Sequence, residues 1–184
     1  MSGIAPPPTM FVLIGLPASG KTTRARQLAS EKDAIRITPD DWMFPLFGDP
    51  QPEGKRDILE GRLVWISLCI LKRGVNAVLD FGVWSLDERS ALRYLAGSVG
   101  ALCELVYLEV DAEENVRRLN ERPKGTGVAT FEISTEDLSK YRDIFQIPTS
   151  EELMRETLDD PPTGFDNWGS WAQDRWPSLT SEYC

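Results

Sequence analysis

The chain alternates short unbroken apolar runs with longer stretches whose apolar residues recur every three or four positions. That is the pattern of buried strands alternating with amphipathic helices. Met10-Phe11-Val12-Leu13-Ile14 is the first run, and Ala25, Leu28 and Ala29 mark a helix over 22–30. Ala34-Ile35-Arg36-Ile37-Thr38 alternates and is stopped by Pro39, predicting a short second strand. Residues 43–54 hold Pro45, Gly48, Pro50, Pro52 and Gly54 and predict a loop. Leu59, Leu63, Ile66 and Ile70 then predict a long helix over 55–73, with Lys72 and Arg73 suited to its C-terminal dipole and Gly74 to its stop.

A third strand is expected over 75–80. Ser85-Leu86-Asp87-Glu88 reads as a capping box that opens a helix running to Ala96. A fourth strand is expected over 102–110, and Asp111-Ala112-Glu113-Glu114 caps a helix carrying Arg117, Arg118 and Arg122. Pro123-Lys124-Gly125-Thr126-Gly127 predicts a mobile loop, and further helices are expected over 134–145 and 151–158. Strands alternating with helices imply parallel pairing through right-handed crossovers, hence an α/β fold with a parallel sheet of four to five strands flanked by helices. The organisation expected is a loose leader over 1–9, one domain over 10–158 with a small lid near 118–133, and a tail over 159–184. The tail is rich in Pro, Gly and Asp yet holds Trp168, Trp171 and Trp176, which are expected to pack over a surface.

Composition narrows the function classes. At 184 residues the length suits one domain, and a net charge of -9 argues against a broad electrostatic footprint for nucleic acid or an anionic membrane. Cys69, Cys103 and Cys184 have no framework spacing and read as free thiols, which suits a reducing compartment. No basic leader and no membrane-length apolar run are present, so a soluble cytoplasmic protein is expected. Histidine is absent, so a general base must be a carboxylate or a less usual lysine, tyrosine or cysteine.

The chemistry centres on Gly15-Leu16-Pro17-Ala18-Ser19-Gly20-Lys21-Thr22, which reads G-x-x-x-x-G-K-[ST] between the first strand and the first helix. The glycines let successive N–H groups point inward at phosphate oxygens, and the helix N-terminus adds partial positive charge. Gly15, Ala18, Ser19, Gly20, Lys21, Thr22 and Thr23 are the expected nucleotide-binding residues. Lys21 is expected to reach the β- and γ-phosphates of ATP, and the Thr22 hydroxyl to hold Mg²⁺. Ligands of parallel sheets bind at the carboxyl ends of the strands. Asp40 and Asp41 follow strand two, and Asp80 follows strand three. Asp80 either reaches Mg²⁺ as a Walker-B-type carboxylate or is a turn residue without metal contact. Arg118 and Arg122 share a helix face, and they either meet charge on a migrating phosphoryl group or pair with Glu114 and Glu121 on a solvated face. Trp42 and Trp84, near the ends of strands two and three, either line an acceptor pocket or pack in the core.

The order G-L-P-A-S-G-K-T, T-P-D-D-W, V-L-D-F-G-V-W-S-L-D-E-R, R-R-L-N-E-R and F-Q-I-P-T-S-E-E resembles the small bacterial P-loop kinases known as AAA-type ATP-binding proteins, akin to chloramphenicol phosphotransferase, zeta toxins and the polynucleotide kinase domain. The resemblance covers 10–157 and implies a P-loop NTPase fold and an ATP-dependent kinase acting on a hydroxyl. It places the acceptor-activating aspartate at Asp40, with Asp41, Trp42 and Trp84 beside the acceptor, and the lid arginines at Arg118 and Arg122. Polynucleotide kinases carry an arginine just after the D-D-aromatic step, where this chain has Met43. A small-molecule acceptor, such as an antibiotic or metabolite, is therefore expected over nucleic acid. A nucleic-acid or sugar-nucleotide kinase, and a nucleotide switch with weak ATPase activity, remain the alternatives.

Overall fold

The period-two alternation of the first strand divides the protein into two cores. The computed structural model describes residues 6–50, 52–121, 133–154 and 158–182. Strand β1 (Thr9–Ile14) sends Met10, Val12 and Ile14 into the larger core, and Phe11 and Leu13 into a smaller one with Ala25 and Leu28. The smaller core is closed by helix α1 (Lys21–Glu31). β1 lies inside a four-stranded parallel sheet with β2 (Ala34–Ile37), β3 (Asn76–Leu79) and β4 (Leu102–Tyr107), in the order β2-β3-β1-β4. Met10 is opposite Ala77 on one side and Cys103 on the other. The expected α/β fold with a parallel sheet of four to five strands is the fold observed, with four.

The larger core is covered by α3 (Arg56–Lys72) and α4 (Leu86–Ser98). The predicted capping box is present at Ser85 and Glu88, each bonding the other's backbone N–H. The helices that follow β4 are α5 (Ala112–Asn120), α6 (Thr135–Ile144) and the single turn α7 (Ser150–Leu153). The buried Arg89–Glu152 ion pair ties α7 to α4.

Two expectations need correction. The loop predicted from residue 43 is helical at its start, because α2 spans Asp40–Phe47 before ending at Gly48. Two acidic residues in its first turn suit the macrodipole, and Met43, 1% exposed, anchors it to the core despite Pro45. The tail packs through its tryptophans, as expected. Asn167 caps α8 (Trp168–Arg175), and Trp168 and Trp176 are buried in the main core. Each buried indole removes about 200 Å² from water, an upper bound of about 5 kcal/mol. Gly61 admits this segment, since a Cβ there would lie 3.0 Å from the Leu179 N–H nitrogen. α3 is thus covered on two sides, which explains a helix more apolar than one stripe requires. Cys69 is disulfide-bonded, contrary to the free-thiol reading, and that support for a reducing compartment falls away. Cys103 is a buried thiol, while Cys184 lies outside the described residues.

Candidate active site

The phosphate-binding loop is shaped by its small residues. Gly15 has φ 153°, and a Cβ there would lie 2.6 Å from Ser19 Oγ and 2.8 Å from the Leu108 carbonyl oxygen. Ala18 and Gly20 are left-handed, at φ 62° and 98°. The Ser19 N–H closes the loop on the Leu16 carbonyl at 3.1 Å. Lys21 folds back over the loop, its Nζ donating to the Gly15 and Leu16 carbonyls at 2.8 Å each. Asn115 of α5 donates to the Pro17 carbonyl at 2.6 Å and braces the loop from outside. The first turn of α1 contains no acidic residue, and the buried Ser19 Oγ has no hydrogen-bond partner among the described residues. A loop at a helix N-terminus, with an adjacent cation and a buried hydroxyl unpaired among the described residues, fits phosphate oxygens.

A cavity of about 550 Å³ opens beside this loop, lined among others by Ala18, Gly20, Lys21, Thr22, Thr23, Asp40, Asp41, Asp80, Trp84 and Arg118. Most of the sequence-predicted site residues therefore meet in one place. Gly15 and Ser19 shape the loop without lining the cavity. Trp42 does not line it and is 44% exposed on α2. Met43 faces the core, so its position says nothing about the acceptor. Arg122, with most of the expected lid, lies outside the described residues.

Two arginines unforeseen from the sequence organise the acidic side of the cavity. Arg36 of β2 donates to Asp80 Oδ2 from Nε at 2.8 Å and lies 2.7 Å from it through Nη2, while Nη1 reaches Asp41 Oδ2 at 2.9 Å. Arg56 reaches Asp40 Oδ1 at 3.3 Å and 3.4 Å, and Glu60 Oε1 from Nε at 3.1 Å. Both had a signal. Arg36 interrupts an apolar strand, and Arg56 stands at a helix N-terminus, where a cation opposes the dipole.

Part of the lining is aromatic. Trp84 stacks on Tyr141 of α6 with centroids 5.1 Å apart and packs edge-on against Phe145. Arg118 also lines the cavity, donating to Glu114 Oε1 at 2.6 Å and to the Ser19 carbonyl at 3.4 Å. Hydrogen bonds from Arg117 and Arg118 hold the Glu114 carboxyl down at about 2, so it is ionised and orients both guanidinium groups.

Behind Arg56, burial pushes the Glu60 carboxyl up to about 7 against the pull of Arg56 and Arg175. The folded chain holds this proton more tightly than the unfolded one. Its contribution to stability is therefore full below the ordinary carboxyl value and is lost as pH rises through about 7, a swing of about 3 kcal/mol. Glu60→Gln is expected to flatten the difference in urea unfolding free energy between pH 5 and pH 8 relative to wild type. An unchanged difference would mean that Glu60 is ionised throughout.

Comparison with known proteins agrees with this geometry. The AAA_33 (AAA domain) family profile matches residues 10–148. A chain of a Pnkp1/Rnl/Hen1 RNA repair complex superposes with TM-score 0.63 and 23% identity, covering 86% of this chain and 48% of that one. This chain thus spans about half the length of that relative. A putative kinase from Chloroflexus aurantiacus gives TM-score 0.61 at 18% identity over 79% and 80% of the two chains. A gluconokinase from Sinorhizobium meliloti gives 0.53 at 14% over 94% and 91%. No curated protein matches the sequence at a significant level. The chain belongs to the AAA_33 (AAA domain) family and has the fold of the small P-loop kinases.

Proposed function

We propose that the protein is an ATP-dependent phosphotransferase that moves the γ-phosphoryl group to a hydroxyl of a small molecule, with Asp40 as base, in a cytoplasmic setting. One observation carries this reading. A single cavity has Lys21 and Thr22 of the phosphate loop on one wall and the Asp40 carboxylate on another. A binding module or nucleotide switch needs the first wall only.

In the proposed reaction Lys21, Gly20 and the first turn of α1 hold the ATP phosphates. Asp40 takes the proton of the acceptor hydroxyl as its oxygen bonds to the γ-phosphorus, the bond from that phosphorus to the β–γ bridging oxygen breaks, and ADP leaves. Mg²⁺ bound with ATP would offset charge on the phosphate oxygens, and the Thr22 hydroxyl and Asp80 carboxylate are the oxygen donors suited to hold it. Arg118, aimed at the loop, meets the charge that spreads onto the transferring group. Arg118→Ala is therefore expected to lower kcat by about a hundredfold with ATP affinity within about threefold of wild type, read by initial rates and calorimetric titration. Unchanged kcat would leave the side chain to its Glu114 pair.

A polynucleotide 5'-hydroxyl is the second reading. Arg26, Arg36 and Arg56 line the cavity, while Trp42, expected beside the acceptor, does not. Labelled ATP offered with neutral hydroxyl compounds and with 5'-hydroxyl oligonucleotides at physiological salt separates the two. Salt-sensitive labelling of the oligonucleotides alone would replace the small-molecule proposal.

A further inference from the structure

The family match ends at residue 148, yet among the described residues beyond it Arg175 connects to the walls of the candidate site through shared carboxylates. α8 lies against α4, and Arg175 at its end spreads its guanidinium over three carboxylates. Nε and Nη2 each lie 2.9 Å from Glu88 Oε1, Nη1 lies 2.6 Å from Asp57 Oδ1, and Nη2 lies 3.8 Å from Glu60 Oε2. Two of these carboxylates face the cavity walls with their other oxygen. Glu60 Oε1 accepts from Arg56, which reaches Asp40. Glu88 Oε2 accepts the N–H groups of Trp84 at 2.7 Å and Ser85 at 3.1 Å. One route ends on the carboxylate read as the base, the other on the aromatic wall.

These are not surface ion pairs of small consequence. Glu60 and Glu88 are buried, so removing their shared arginine leaves two acids with little water to replace it. Arg175 is itself seated, its guanidinium 5.7 Å from the ring centroid of buried Trp176. A planar fork can serve several carboxylates at once, which a lysine ammonium does less well. No atom on either route belongs to the phosphate loop.

We propose that Arg175 is a positioning residue of the phosphoryl-transfer site, holding Asp40 through Glu60 and Arg56 and the Trp84 backbone through Glu88, so that the C-terminal segment completes the acceptor half of the site. The role assigned to Asp40 rests on the kinase reading above.

The test uses the full chain with Arg175→Met, which keeps a stem over Trp176 and removes the fork, and Arg175→Lys, which keeps the charge. Labelling with 5-fluorotryptophan gives Trp84 a fluorine resonance, assigned by its loss in Trp84→Phe. Transfer is followed from labelled ATP to whichever compound of the panel wild type labels, or to water. The expected result for folded Arg175→Met is a fall in kcat of at least about tenfold, with the KM for ATP within about twofold and the Trp84 resonance displaced or broadened. Arg175→Lys is expected to lie between it and wild type. Combined with Glu60→Gln, Arg175→Met should cost little beyond the poorer single variant, because both act on one route. Wild-type kcat with an unmoved Trp84 resonance would overturn the proposal, as would full additivity with Glu60→Gln. If Arg175→Met does not fold, Arg175→Lys decides by the same two readouts. If wild type transfers phosphate to nothing, the kinase reading fails, and the Trp84 resonance alone decides whether Arg175 sets the wall.

Discussion

Lys21→Ala is expected to lower phosphoryl transfer by at least about a thousandfold in a chain that folds as wild type does. The ammonium is held over the loop by two carbonyl oxygens, those of Gly15 and Leu16, at the place where the loop curls. A phosphate chain entering the loop exchanges those neutral acceptors for charged oxygens, which the lysine binds more strongly. Stability should change little, because the side chain takes no part in either hydrophobic core. Transfer from labelled ATP and thermal unfolding measure the two halves of the prediction. A folded Lys21→Ala protein with wild-type turnover would remove the nucleotide reading altogether.

Asp40→Asn should cost turnover about a thousandfold while leaving ATP affinity within about twofold, since a base acts on the acceptor hydroxyl and not on the nucleotide. The amide is nearly the same size and still accepts from Arg56, so the local geometry survives. Asp41 is the internal comparison. Its carboxylate is paired with Arg36, which also holds the buried Asp80, so Asp41→Asn is expected to loosen that side of the cavity and to cost less. Pre-steady-state transfer and calorimetric ATP titration on both variants give the answer. Loss of turnover at Asp41 with Asp40 unaffected would exchange their roles.

The sequence by itself determined the features that depend on neighbours three or four residues apart. The β1 run, the turn of Gly15 to Lys21, the capping box at Ser85 and Glu88 and the helices after β3 and β4 all follow from local backbone geometry and apolar spacing. From these the parallel α/β fold and the phosphate loop were legible, and Brändén's rule put Asp40 and Asp80 at the right end of the sheet. Tertiary structure alone decided how side chains from distant elements converge. Pro45 argued against a helix over 40–47, but anchoring Met43 in the core outweighs one missing backbone bond. The same anchoring turned Trp42 away from the cavity and removed Met43 as a clue to the acceptor. Arg36 and Arg56 became part of the site only because β2, β3 and α3 bring them to Asp80, Asp41 and Asp40. The tail shows the same limit most plainly. Its three tryptophans carry enough apolar area to demand burial, whereas the surface that receives them, with Gly61 open beneath Leu179 and Glu60 and Glu88 awaiting Arg175, is assembled from helices about 90 to 120 residues earlier and exists only once those helices have packed.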